Sequence, residues 1–179
     1  MQLDTQKHLE QPFRVHEYAR EFELLDLWQY PIEAESEEEF DTFLEIHDLA
    51  EMAAETSLLV RALFGVRLAL GNVFGWDGES GSEAVGLETV FREPREVLMR
   101  TENKTVTALL HLSWVELENG RFTARLAVYA ISHGALGRGY MALIAPFRNL
   151  WVYPSLMKVG GRRWRRRHEL VGRAQPARH

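Results

Sequence analysis

TVTALLHLSWVELENGRFTARLAVYAIS, residues 105–132, decides the fold. Two alternating apolar runs, 105–117 and 121–132, flank Asn119-Gly120, which is the signature of an antiparallel hairpin. Loop length sets its register. A two-residue loop would oppose Leu112 to Ala127 and Trp114 to Arg125, leaving both faces mixed. A three-residue loop, a type I turn closed by a left-handed Gly120, opposes Leu112 to Leu126 and Trp114 to Ala124. One face then carries Val106, Ala108, Leu110, Leu112 and Trp114 with Phe122, Ala124, Leu126, Val128 and Ala130. The other carries Thr107, His111, Ser113, Thr123, Arg125 and Tyr129. Only this register separates apolar from polar, and burial of one face selects it.

The hairpin runs into GYMALIAPFRNLWVYPSLM at 139–157, which predicts a helix over about 136–157. Tyr140, Ile144, Phe147, Trp151 and Pro154 keep helical spacing as an inner stripe, with Arg148 and Asn149 off it and a kink near Pro146. An amphipathic hairpin delivering a long helix predicts an α+β fold in which a curved antiparallel sheet wraps that helix around an apolar cavity. Upstream, residues 1–12 read as a loose arm. Leu25, Leu27, Trp28, Tyr30 and Ile32 suit a first strand. Two shorter helices follow it. The first opens at Ser36 with a capping box to Glu39 and presents Phe40, Phe43, Leu44 and His47 on one side. The second, over 52–73, aligns Leu59, Leu63, Val66, Leu70 and Phe74. Strands are expected at 85–91 and 96–102. Residues 13–160 thus form one domain, between the arm and a basic tail at 161–179.

A chain of 179 residues can bury roughly 70% of its unfolded surface without staples. It contains no cysteine, which excludes disulfides, thiolate metal sites and a cysteine nucleophile. The N-terminus lacks the pattern of a secretory signal, and Arg148 interrupts the most apolar stretch, so the expected location is the cytoplasm. The net charge of −5 conceals a polarity. Residues 1–60 hold 16 acidic and 3 basic groups, and residues 121–179 hold 1 acidic and 12 basic. The plain expectation is that the two ends neutralise one another in the fold.

Few residues suggest chemistry. His47, Asp48 and Glu51 fall within one helical turn, but a metal needs three or four convergent ligands with an ordered second shell, so they read as a solvated face. His111 points away from the apolar side in the chosen register and is expected to be structural or superficial. Ser80, Ser82 and Ser113 lack a neighbouring base in suitable geometry. The glycine-rich loop at 75–86 lacks the lysine and hydroxyl residue of a P-loop. Basic residues Arg162, Arg163, Arg165, Arg166 and Arg167 around Trp164 could touch an anionic membrane surface. Nucleic acid is not expected beside so large an acidic counterweight.

The order of elements, with LFGVRLALG at 63–71, NKTVTALLHLSWV at 103–115 and GRGYMALIAPFRNLWVYPSLM at 137–157, resembles the family called domain of unknown function 2867. That resemblance implies kinship with the START-like, or SRPBCC, superfamily of Bet v 1-like and polyketide-cyclase-like proteins. It also implies their helix-grip architecture. Some relatives are fused to NAD-binding domains, but this chain has no glycine fingerprint, so no nicotinamide role and no cofactor are expected. The resulting expectation is a non-enzymatic binder of a small lipophilic molecule. Its cavity candidates are Leu110, Leu112, Trp114, Leu126, Val128, Tyr140, Ile144, Phe147 and Trp151. A cyclase- or hydratase-like enzyme, with His111 or Tyr129 in the cavity, is the alternative, and a membrane or partner module using the basic tail is the third.

Overall fold

The computed structural model describes residues 1–48, 51–52, 55, 87–102 and 106–167. Single-turn helices α1 (Gln6–Leu9) and α2 (Val15–Tyr18) lead into strand β1 (Glu23–Gln29) and helix α3 (Glu39–Ile46). Strands β2 (Glu88–Glu93), β3 (Glu96–Glu102), β4 (Val106–Glu116) and β5 (Phe122–Ser132) follow. The C-terminal helix comes in three parts: α4 (Gly134–Phe147), a π turn (Arg148–Val152) and α5 (Tyr153–Arg165). The fold is therefore α+β, with one open five-stranded antiparallel sheet in the order β1-β5-β4-β3-β2. The helix expected over 52–73 and the loop at 75–86 lie outside the described residues, apart from Met52 and Glu55.

The central hairpin has the three-residue loop. Gly120 sits at φ +76°, its N–H donates to the Leu117 carbonyl at 2.9 Å, and the Leu117 N–H donates to the Arg121 carbonyl at 2.6 Å. Leu112 consequently opposes Leu126, and Trp114 opposes Ala124. The apolar front face is sealed by α3 and α5, whose Phe40, Phe43, Ile46, Tyr153, Leu156, Met157 and Trp164 pack on Trp28, Val97, Leu112, Trp114 and Leu126. Trp114 is 1% exposed and rests on Phe40, Phe43 and Trp164, with its indole N–H donating to the Ser36 carbonyl at 3.2 Å. The expected capping box is displaced: the Glu39 carboxylate accepts from the Glu35 N–H at 2.7 Å, so the helix starts later.

Two segments depart from the sequence-based expectation. Residues 1–12 are no loose arm. The Leu3 N–H donates to the Leu27 carbonyl at 2.9 Å, and Leu3, Phe13, Val15, Ala19 and Phe22 cover Leu27, Leu98, Leu109, Ala127 and Tyr129 on the rear face. A sheet whose rear face also carries apolar residues gains by covering it. Gly160-Gly161, read as the domain boundary, instead lie inside α5. A Cβ on Gly160 would stand 2.6 Å from Tyr30 Cε1, and one on Gly161 would stand 2.8 Å from Pro31 Cγ. The missing side chains let α5 approach the end of β1, and Trp164 beyond them is buried.

His111 is therefore not superficial. It is fully buried beneath the N-terminal segment, and its Nε2 lies 2.9 Å from Glu96 Oε2. An ionised carboxylate only accepts, so Nε2 carries the proton. Glu96 also accepts from the Arg14 N–H at 2.9 Å and from the Val15 N–H at 3.4 Å, tying residues 14–15 to the sheet. Burial pushes the Glu96 carboxyl up, but these bonds hold it below its ordinary value. His8 is also fully buried, with its ring centroid 5.3 Å from that of His111. Burial, followed by the neighbouring His111, His16 and Arg125, pushes His8 down to about 3.

Two outcomes follow from this packing. Gly160→Ala should destabilise the protein by roughly 1–3 kcal/mol through overpacking against Tyr30, outweighing a helix-propensity gain of about 1 kcal/mol. Gly139→Ala in α4, where a Cβ meets nothing within 4 Å, should leave stability unchanged or raised; denaturant titration of both variants checks this. A histidine held neutral in the fold contributes stability that is full above its ordinary pKa of 6.5 and fades as pH falls toward 3. Folding stability should therefore drop below about pH 6.5 by up to about 1.4 kcal/mol per pH unit for each such histidine. His8→Leu should flatten that slope by one proton in urea titrations at successive pH values.

Candidate functional site

The pairing register lays residues in rows across the front face. Trp28, Leu126, Leu112 and Val97 form one row, and all four are buried. The next row is Asp26, Val128, Leu110 and Met99. Here the cover thins, because Leu110 and Met99 are only half-buried, and so are Ala108 and Thr101 in the row beyond. β5 ends on this side of the sheet and leads into α4, whose Met141, Ile144 and Ala145 are also half-buried.

A charged pair stands at the boundary between sealed and thinly covered sheet. Asp26 is 1% exposed, and its Oδ2 lies 2.8 Å from Arg148 Nε. Burial pushes the Asp26 carboxyl up, and the Arg148 charge only partly opposes this. Tyr153, whose ring centroid lies 5.5 Å from that of Trp28, is buried next to both charges. Burial and then the Asp26 charge push its phenol up, so it stays protonated as a hydrogen-bond donor. Asp26 lies two residues before Trp28 in the regular part of β1, where it pairs with Val128, so strand alternation puts the carboxylate on the same side as Trp28. Arg148 reaches it because the π turn begins there.

The π turn also corrects the predicted inner stripe. Phe147 and Trp151 are 38% and 40% exposed, with Leu143 and Leu150 more exposed still. Arg148, Tyr153, Leu156 and Met157 face the sheet instead. Pro146 lacks the N–H that an α-helix would use there, and a π turn adds a residue to the following turn and rotates everything after it. Of the other predicted cavity residues, Leu112, Trp114, Leu126 and Val128 are buried in the front core, Leu110 and Ile144 are half-buried, and Tyr140 lies in α4. Asp26, Tyr153, Glu96 and His8 were not singled out from sequence. For Asp26 a signal existed: it is a lone carboxylate within the apolar strand ELLDLWQ, in phase with Trp28 and Tyr30.

Elsewhere, polar groups serve structure. His47 is buried rather than solvated, with its Nε2 3.0 Å from Tyr30 Oη, and burial pushes it down to about 3. Among the described residues no group of three acidic or histidine side chains could hold a metal, and no helix is long and apolar enough to cross a membrane. Two open depressions occur at the hairpin end of the sheet. One, of about 430 Å³, lies by Glu116, Asn119 and Arg125, and the other, of about 230 Å³, lies by Tyr30 and Pro31. Neither touches the seam, meaning the thinly covered row of Val128, Leu110 and Met99 beside the Asp26–Arg148 pair.

Removing one member of a buried pair leaves an uncompensated charge. Arg148→Met should therefore cost about 3 kcal/mol at neutral pH. The loss should shrink as pH falls through the raised Asp26 pKa, because protonation relieves the orphaned carboxylate. The double variant Asp26→Leu/Arg148→Met should recover most of the stability, as measured by thermal and denaturant unfolding.

Comparison with curated proteins and with solved structures yields no match. A family model does match, from the end of α2 through the five strands and the C-terminal helix as far as the third residue of α5. The chain belongs to the family described as protein of unknown function DUF2867, whose model spans residues 18–155.

Proposed function

We propose that the protein binds a small lipophilic molecule between the thinly covered end of the sheet and α4. The observation that carries this reading is a juxtaposition. Leu110 and Met99 remain half-buried in the same row of the sheet as Asp26 of the buried Asp26–Arg148 pair, and Ile144 of the following helix is half-buried too. Binding sites for small molecules are mostly apolar walls with a few polar groups that orient the ligand. In this reading Val128, Leu110, Met99 and Ile144 supply the walls, and Arg148 with Tyr153 supplies the orienting end. Leu112, Trp114 and Leu126 act as packing beneath the site. The strand order, with β1 beside β5 and the C-terminal helix across the front, supports the helix-grip architecture and the START-like kinship suggested by the sequence.

Mass spectrometry of gently purified protein should detect a co-purified lipophile at near-stoichiometric level. Leu110→Arg, at a half-buried position, should lower its occupancy at least about tenfold while the melting curve stays cooperative. Wild-type protein free of any lipophile, with no saturable uptake of a fluorescent fatty-acid probe, would overturn the reading. Chemical conversion of the bound molecule, lost in Asp26→Asn while binding persists, would instead assign the cyclase- or hydratase-like activity.

A further inference from the structure

The outward side of the C-terminal helix carries a surface that packing among the described residues does not use. Leu143, Phe147, Leu150 and Trp151 are exposed on one stripe, and the Phe147 and Trp151 rings lie 5.3 Å apart. Helical phase carries the same stripe along α5 to Lys158, Arg162, Arg165 and Arg166, all exposed. None of these four forms an ion pair among the described residues. From the π turn onward the other arginines are engaged: Arg148 with Asp26, Arg163 with Glu51 and Glu55, and Arg167 with Glu39, while Arg138 near the start of α4 is exposed and forms no ion pair among the described residues. Residues 134–167 contain no acidic residue at all. The element is thus sorted into an inward set of paired arginines and an outward set of unpaired ones, continuous with an exposed apolar patch.

We propose that this stripe is a docking face for an anionic lipid bilayer, with Leu143, Phe147, Leu150 and Trp151 entering the interface and Lys158, Arg162, Arg165 and Arg166 meeting the headgroups. An interfacial helix has this design, with aromatic and aliphatic groups on the buried side and cations beside them. Tryptophan is at home at headgroup depth, and each cation near such a surface strengthens binding about fivefold. The exclusively positive charge matches anionic lipid. Neither the charge sorting nor the apolar exposure depends on a ligand in the seam.

The test is sedimentation of full-length protein with vesicles of phosphatidylcholine containing about 30% phosphatidylserine, against pure phosphatidylcholine vesicles. Binding should be at least about tenfold stronger on the anionic vesicles, weaken with salt, and shift the tryptophan emission to the blue. Lys158→Gln/Arg162→Gln/Arg165→Gln/Arg166→Gln should reduce it several hundredfold, at about fivefold per cation. Trp151→Ser/Phe147→Ser should reduce it at least about tenfold and abolish the blue shift. All six positions are exposed, and an unchanged melting curve confirms that the variants fold. Equal binding to both vesicle types, undiminished binding by the quadruple variant, or a stable dimer in sedimentation equilibrium dissolved by Trp151→Ser/Phe147→Ser would overturn the assignment.

Discussion

A single left-handed residue governs most of this structure. With Gly120 at φ +76° the β4–β5 loop takes three residues, and the strands meet in the register that places Leu112 on Leu126. Moving that register by one residue would exchange every side chain between faces. Trp114 would leave its contacts with Phe40, Phe43 and Trp164, and His111 would enter the front core in its place. The placement of α3 and α5 follows from this pairing, since both pack on the face that the turn makes apolar.

Among the described residues each face of the sheet then buries one carboxylate, and the two are treated differently. Glu96, on the rear, receives donors from His111 and from two backbone N–H groups, and it is held below its ordinary pKa. It fastens the N-terminal segment. Asp26, on the front, meets chiefly Arg148, and burial raises its pKa. A carboxylate satisfied by many donors is structural ballast, whereas a sparsely satisfied one in a thinly covered seam is what a binding site offers. The contrast between them, rather than the presence of either, directs attention to the seam.

The charge polarity of the chain finds a physical account in the same geometry. Acidic residues between Asp26 and Glu55 pair with Arg121, Arg148, Arg163 and Arg167. Mutual neutralisation, the plain expectation, accounts for the inward arginines. It does not account for Lys158, Arg162, Arg165 and Arg166, which the helix turns outward.

Much of the architecture was legible in the chain alone. Alternation and turn chemistry are local properties, so four strands of the sheet, the hairpin register and a long C-terminal helix could be read from residues 88–157. The site could not. Whether Phe147 or Arg148 faces the sheet depends on a π turn, and that turn follows from how the backbone around Pro146 settles against its neighbours. That residues 1–22 cover the rear face, or that Gly160 must admit the Tyr30 ring, depends on partners more than a hundred residues apart in the second case and on a shared sheet in the first. Local sequence carries the period and the turns. Which buried carboxylate is left thinly partnered is decided only when distant segments meet, because desolvation and pairing are properties of the assembled environment and not of the residue.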